Sequence, residues 1–452
     1  MNIIIVGCGR VGRSIAEQLN AEGHSITVID RKAKALDKLT DTQNVMTIVG
    51  NGATYGILKD AGIKDCDLLI AVTAADELNL YTCLIAKNAG VDATIARVRN
   101  PEYIHDVEHI KDHLKLSLAI NPEYTCAREM ARLVKFPGAV QIASFAGGMI
   151  DLITVRIEEG SPLSDKRVAD CSSLFKGGVR ISLIERDGSC YIPNGDFELH
   201  VGDLMSFSAP SAAAAKLLRT LGHISSRPRS VMILGGSKIA FYLSRILREA
   251  GVSVKIVERD MQRCEELSED LQNVMVIYGN AMDESILVSE GIDRADGVVC
   301  LMNNDEENVL ASLYARKVNP NARVITELGN TKFSSIYATL PLDSVIRPKQ
   351  LTGESIVRYV RGMQNTVGSN VETMYKINGG EVEALEFRVR EESAVTGKPI
   401  SQLNLKSMLN IVCIGRNKRV ILPTGSDTIE VGDTVIVITK HRGLSDLRDI
   451  LK

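Results

Sequence analysis

The feature that most constrains this 452-residue chain is that it repeats itself. Residues 3–12 read IIIVGCGRVG and residues 231–240 read VMILGGSKIA. ITVID at 26–30 returns as VKIVE at 254–258, IVGN at 48–51 as IYGN at 277–280, and DELN at 76–79 as DEEN at 305–308. The offsets are 228, 228, 229 and 229 residues, always in the same order. Matches in register along a whole half mean that the chain is built as two copies of one module. The correspondence extends to PNGDFELHVGD at 193–203 and PTGSDTIEVGD at 423–433, an offset of 230. Each module therefore has two parts, and SSRPRS at 225–230 reads as the linker between modules.

Periodicity gives each part its class. Short apolar runs at 2–6, 26–29, 45–49, 68–72 and 94–98 alternate with helical patterns such as RSIAEQLNAEG. Strands alternating with helices predict right-handed βαβ units on a parallel sheet. The second part of each module holds strands punctuated by Gly, Pro and Asp (DLITVRI, RISLIER, DLMSFSA). A closing helix is expected at SAAAAKLLRTLG in the first copy and at RGLSDLRDILK in the second, making a small α+β domain. The predicted fold class is α/β: two Rossmann-like doubly wound parallel sheets, each followed by a small α+β domain.

Composition removes several function classes. Net charge is −3, aromatics are 4% and Trp is absent, so neither phosphate-backbone binding nor base stacking is expected, and no nucleic-acid partner is proposed. The nine cysteines are scattered, odd in number and without C-x-x-C, which argues against a disulfide framework or zinc knuckle. MNIIIVGCGR opens directly in a strand pattern without a signal-peptide n-region, and no apolar run reaches the roughly 18 residues that span a bilayer. The expectation is a cytoplasmic protein that reaches a membrane only through a partner.

Gly7-x-Gly9-x-x-Gly12 follows a buried strand and opens a helix, the context a dinucleotide fingerprint requires. Gly7 serves the tight turn, Gly9 the close approach of a pyrophosphate, and Gly12 the close packing of helix on strand. The helix N-terminus presents free N–H groups to the phosphates. Asp30, 18 residues beyond Gly12, ends the second strand, where a carboxylate accepts ribose hydroxyls and disfavours a 2′-phosphate. NAD(H) is the ligand this predicts, and ATP or ADP satisfies the same contacts through its adenosine half. The competing reading is a Rossmann fold without a ligand. The seven histidines form no acid–base constellation, and second parts of about 80 residues are small for a dehydrogenase substrate domain, so no enzyme is expected. The rival function is an NAD-dependent oxidoreductase with duplicated nucleotide-binding domains.

On these residues the chain resembles the TrkA family, the peripheral NAD-binding component of Trk-type potassium uptake, whose repeat is the paired RCK (KTN) domain. The resemblance covers both fingerprints, IVGNGAT, AVTAADELN and both P-x-G-(x)5-V-G-D segments. It implies RCK N-terminal domains at 1–120 and 229–347 and RCK C-terminal domains at 140–224 and 370–452. It implies that the nucleotide is gripped at Gly7, Cys8, Gly9, Arg10 and Val11, at Asp30, and at Asn51, Thr73, Ala74 and Arg97. The second copy offers Gly235, Gly236, Ser237, Lys238, Ile239, Glu258 and Asn280 at the matching places. It departs from the pattern in Ser237 for Gly9, Ala240 for Gly12 and Glu327 for Arg97, so its site is expected to be the weaker. The resemblance also implies a homo-oligomer, a dimer or tetramer ring, docked under a membrane-embedded potassium-translocating subunit on the inner face of the cell membrane. His105, His109 and His113 share one face at i, i+4, i+8 and read as a solvated helix; no metal site is predicted.

Overall fold

The computed structural model describes every residue except 38, 40–44, 104–106, 108–112, 115, 137, 147–148, 176–177, 223–227, 330–333, 365–370, 378–380 and 418. His105 and His109 fall outside the described residues, as does the first half of the linker at 225–230. The histidine face is therefore not placed.

Runs such as IIIV and LLIA carry no polar alternation, so they suit strands covered on both faces. They form β1 (Asn2–Val6), β2 (Ser25–Asp30), β3 (Val45–Val49), β4 (Leu68–Ala71), β5 (Ala93–Arg97) and β6 (Leu118–Ile120). The sheet order is β3-β2-β1-β4-β5-β6, parallel throughout, with Ile3 opposite both Ile26 and Leu68. The order reverses between β1 and β4, which opens the crevice that binds ligands in open α/β sheets. In the second copy β14 (Ser230–Leu234), β15 (Ser253–Glu258), β16 (Met275–Tyr278), β17 (Gly297–Cys300), β18 (Arg323–Glu327) and β19 (Ser344–Ile346) repeat that order.

Between them lie β7 (Ala139–Phe145), β8 (Ile150–Arg156), β9 (Lys166–Arg167), β10 (Arg180–Arg186), β11 (Ser189–Tyr191), β12 (Glu198–Leu199) and β13 (Leu204–Ala209). The second copy ends with β20 (Val371–Ile377), β21 (Val382–Arg388), β22 (Leu409–Arg416), β23 (Arg419–Ile421) and β24 (Thr434–Thr439). Each set makes a five-stranded antiparallel sheet, β11-β10-β13-β8-β7 and β20-β21-β24-β22-β23, while β9 and β12 pair as a separate two-stranded sheet. The two sheets share one core: Phe145, Ile150 and Leu152 pack with Ile377, Val412 and Ile436. Phe145 meets Tyr375 edge-on at 5.2 Å, and the Ala146 N–H donates to Glu386 Oε1 at 2.8 Å.

The chain divides into two compact units, Met1–Cys126 with Arg347–Val357, and Ala127–Ile346 with Arg358–Lys452. The first holds the first parallel sheet. The second holds the second parallel sheet and both antiparallel sheets, so the partition does not follow the repeat. Within the second unit, buried Arg323 at the start of β18 donates to the Ala139 carbonyl and the Ser344 hydroxyl. It thereby joins the second parallel sheet to β7. Burial, with Arg316 adding to it, pushes its guanidinium down to about 10.

The closing helix of the first copy forms at Ser211–Thr220. That of the second does not: only a 3-10 turn, Leu447–Ile450, is present. The Asp446 carboxylate caps it, and Lys406 N–H donates to the Ile450 carbonyl while Leu405 and Leu451 form a bridge. Pairing of the tail with residues 404–406 takes the backbone groups a helix would have used.

The repeated V-G-D segments have a structural role. Asp203 accepts from Arg186 Nε and Nη2, both at 2.7 Å, and from His200 N–H at 2.9 Å. Asp433 accepts in the same way from Arg416 Nε and Nη2 at 2.8 Å and from Glu430 N–H at 2.8 Å. Burial raises the Asp203 carboxyl, but Arg186 and the His200 N–H outweigh it and hold the group below its ordinary value. A depressed folded-state pKa stabilises fully above the unfolded value near about 4 and is lost as pH falls through the folded value. Asp203→Asn should therefore cost about 2–4 kcal/mol at neutral pH and flatten the acid limb of a pH–stability profile. Denaturant melts at pH 7 and pH 3 measure both; equal losses at the two pH values would contradict the pairing.

Candidate nucleotide sites

At the end of β1 the chain turns through Gly7 at φ +106°, where a Cβ would come within 3.0 Å of Thr73 N and the Val72 carbonyl. A Cβ on Gly12 would lie 1.9 Å from the Gly7 oxygen. Two of the three glycines are thus demanded by the fold itself. Gly9 is not: its φ is −69° and a Cβ there meets no atom within 4 Å. It begins the helix Arg10–Ala21 without a side-chain cap, leaving the first-turn amides free to face a ligand. Arg10 is exposed and Val11 half-buried on that helix.

Asp30 ends β2 against this loop. Its Oδ2 accepts from Cys8 N–H at 2.7 Å and its Oδ1 from Lys32 N–H at 2.9 Å. The carboxylate expected to take a ribose also ties down the loop. Cys8 is buried, its thiol 3.1 Å from the Ala35 carbonyl, and burial pushes it above its ordinary value. After β3, Asn51 Oδ1 accepts from Arg31 Nη2 at 2.9 Å. After β4 come Thr73 and exposed Ala74. Arg97 ends β5 and donates to the Thr73 carbonyl, while its buried Nε has no partner. Burial, then neighbouring Arg99, lowers its pKa, with Glu123 and Asp76 opposing. The predicted residues thus come together along the C-terminal edge of one parallel sheet.

The sequence reading missed what holds that edge. Asn79, fully buried, accepts from Thr73 N–H at 2.8 Å and donates to the Arg97 carbonyl at 2.9 Å. Asn308 does the same for Met302 N–H at 2.8 Å and the Glu327 carbonyl at 3.1 Å. The signal was present: DELN and DEEN keep an asparagine at the same place in both copies, on the buried face of its helix.

In the second copy Gly235 turns at φ +102°, its Cβ position 2.7 Å from the Leu301 oxygen. Gly236 N–H donates to Glu258 Oε2 at 2.5 Å, and Glu258 Oε1 accepts from Arg259 and Asp260 N–H at 2.7 and 2.8 Å. Ser237 caps its own helix by accepting from Ala240 N–H at 3.3 Å, so one amide left free in the first copy is satisfied here. A cavity of about 260 Å³ opens over this loop, lined among others by Gly236, Ser237, Glu258, Arg263, Asn280 and Glu307. Lys238 is exposed, Ile239 is buried, and neither lines the cavity; nor does Glu327. The cations that do are Arg259 and Arg263, the latter donating to the Gly236 carbonyl at 2.7 Å. Among the described residues no group of three or more His, Cys, Asp or Glu could hold a metal ion, and no helix is long and apolar enough to cross a membrane.

With this geometry in place, comparison with known proteins is informative. The TrkA-N domain model matches residues 3–122 and 231–348, and the TrkA-C domain model residues 152–222 and 384–452. A "Trk system potassium uptake protein TrkA homolog" from Archaeoglobus fulgidus is 32% identical over 100% of both chains. A "Trk system potassium uptake protein TrkA" from Halomonas elongata is 31% identical over 100% of this chain and 98% of its own. Among solved structures, a GsuK channel bound to NAD superposes with a TM-score of 0.64 at 17% identity, covering 97% of this chain and 76% of that one. GsuK bound to ADP gives 0.51 at 14% identity, covering 79% and 69%. At these identities the two structures speak for the fold.

Proposed function

The chain belongs to the TrkA family, and from that membership we propose that it is an NAD(H)-binding regulatory subunit that gates a membrane-embedded potassium-translocating protein. The observation that carries the proposal is the first-copy loop. Gly7 and Gly12 are locked by protein atoms, whereas a Cβ at Gly9 would meet no protein atom within 4 Å, one residue beyond Cys8, whose N–H the Asp30 carboxylate holds. The residues proposed to hold the nucleotide are Gly7–Val11, Asp30, Asn51, Thr73, Ala74 and Arg97 in the first copy. In the second they are Gly235–Ile239, Glu258 and Asn280, with Arg263 and Glu307 added from the cavity wall. NAD(H) is the proposed ligand, with ADP or ATP as competitors for the same loops; the superposable GsuK channel has been solved with NAD and with ADP. The domain boundaries 1–120, 140–224, 229–347 and 370–452 are proposed with it.

Regulation of this kind needs no turnover. A nucleotide shifts an equilibrium between two arrangements by its differential affinity for them. A homo-oligomeric ring on the inner membrane face, held there by the transporter, is the assembly proposed. Calorimetric titration of the full chain with NADH should give one tight site and one weaker site. Absorbance at 340 nm should stay constant when NAD and a panel of alcohols are added. Steady NADH formation would favour the oxidoreductase reading instead.

A further inference from the structure

We infer that the two nucleotide loops of one chain prefer ligands of different net charge, the second-copy cavity taking the less anionic, oxidised NAD⁺ in preference to NADH or ATP. This rests on reading that cavity as a dinucleotide seat. In an open parallel sheet a dinucleotide lies across the strand-end crevice with its pyrophosphate at the first loop. In the second copy the adenosine half then falls beside Glu258 and Asn280, and the pyrophosphate over Gly236 and Ser237. The distal half falls at the end of β17, beside Met302, Asn303 and Glu307, all of which line the cavity.

The distal side is where the copies differ most in charge. Glu307 stands where the first copy has Leu78, and Glu327 stands where it has Arg97. The strand-end correspondence is structural: Asn79 bonds the Arg97 carbonyl as Asn308 bonds that of Glu327. The wall of the second cavity carries three carboxylates, Glu258, Asp260 and Glu307, against two guanidiniums, Arg259 and Arg263. The Ser237 hydroxyl has also taken an amide that would otherwise face phosphate. The nicotinamide ring is a cation in NAD⁺ and neutral in NADH, so the oxidised form brings one negative charge fewer and places a positive ring beside Glu307. ATP brings more negative charge and no compensating ring. In the first copy Arg97, with its Nε unpartnered, occupies that side and favours the more anionic ligands. A chain with both sites responds to the ratio of oxidised to reduced nucleotide.

The test isolates the second site in the full-length chain. Gly9→Val places its Cβ where no protein atom lies within 4 Å, at an ordinary φ, and fills the space over the first loop; Asp30→Ala is the second blocking variant. Equilibrium dialysis with NAD⁺, NADH and ATP is then run on the blocked chain and on the same chain carrying Glu307→Leu. The expected result is NAD⁺ about fivefold tighter than NADH, the scale of one unit charge near a partly hydrated carboxylate. The preference should shrink as salt is raised, and Glu307→Leu should bring the two forms within about twofold. Equal binding of NAD⁺ and NADH with Glu307 present, or a preference that survives Glu307→Leu, overturns the inference while leaving the cavity a nucleotide site. Binding of none of the three overturns the underlying reading and the inference with it.

Discussion

Asp30→Ala is expected to weaken NAD(H) binding at the first-copy loop by about two orders of magnitude. The carboxylate has two tasks. It fixes the loop by accepting from Cys8 N–H at 2.7 Å and Lys32 N–H at 2.9 Å, and in the proposed binding mode it also accepts from the ribose hydroxyls. Hydrogen bonds to a charged group are worth about 1.5–3 kcal/mol each, and about 1.4 kcal/mol is tenfold in affinity. Losing the ribose acceptor and loosening the amides that face the pyrophosphate therefore amounts to roughly a hundredfold. Glu258→Ala should do less to the tight site, because Glu258 serves the second-copy cavity. Calorimetry on the two single variants separates them. If Glu258→Ala removes the tight phase and Asp30→Ala spares it, the ranking of the two sites is wrong.

The largest effect on stability is expected at Arg361. Its guanidinium donates from Nη1 and Nη2 to the two oxygens of Glu383 at 3.1 and 3.2 Å, and the side chains are 4% and 3% exposed. The pair ties the last turn of the helix Pro348–Gln364 to β21. Breaking a buried pair by removing one partner leaves an uncompensated charge and costs about 3–5 kcal/mol, whereas replacing both with apolar residues is often close to neutral. Arg361→Leu should lower urea stability by that amount, and Arg361→Leu with Glu383→Leu should recover most of it. A double variant as unstable as the single one would mean that packing of the Arg361 stem, not charge, holds this junction.

The parallel sheets were legible because their inner strands are short apolar runs buried on both faces, and the repeat doubled every signal. Asp30 and the three glycines were legible because their chemistry depends on spacing along one strand–loop–helix unit. The shared core of the antiparallel sheets was not. β8 and β21 are buried on both faces, and nothing in IDLITVR or VEALEFR says that part of the cover comes from the other copy. The tail RGLSDLRDILK carries helical spacing, yet bonds from Lys406 and Lys452 to and from distant backbone decide its conformation. Arg263 and Glu307 escaped notice because the first copy has Ala35 and Leu78 at the aligned positions, so comparison of the copies drew attention elsewhere. Their place on the cavity wall is a property of the folded crevice.

The central claim is that nucleotide bound at the first-copy loop controls potassium movement through a partner. Its most direct test is potassium flux through the membrane-embedded subunit reconstituted in liposomes with this protein, titrated with NADH and NAD⁺. The account predicts that flux changes with nucleotide for the wild-type chain. It further predicts that Asp30→Ala abolishes this dependence while the variant still co-sediments with the transporter. Flux that is indifferent to nucleotide while the wild-type chain is bound to both transporter and NAD(H) would contradict it.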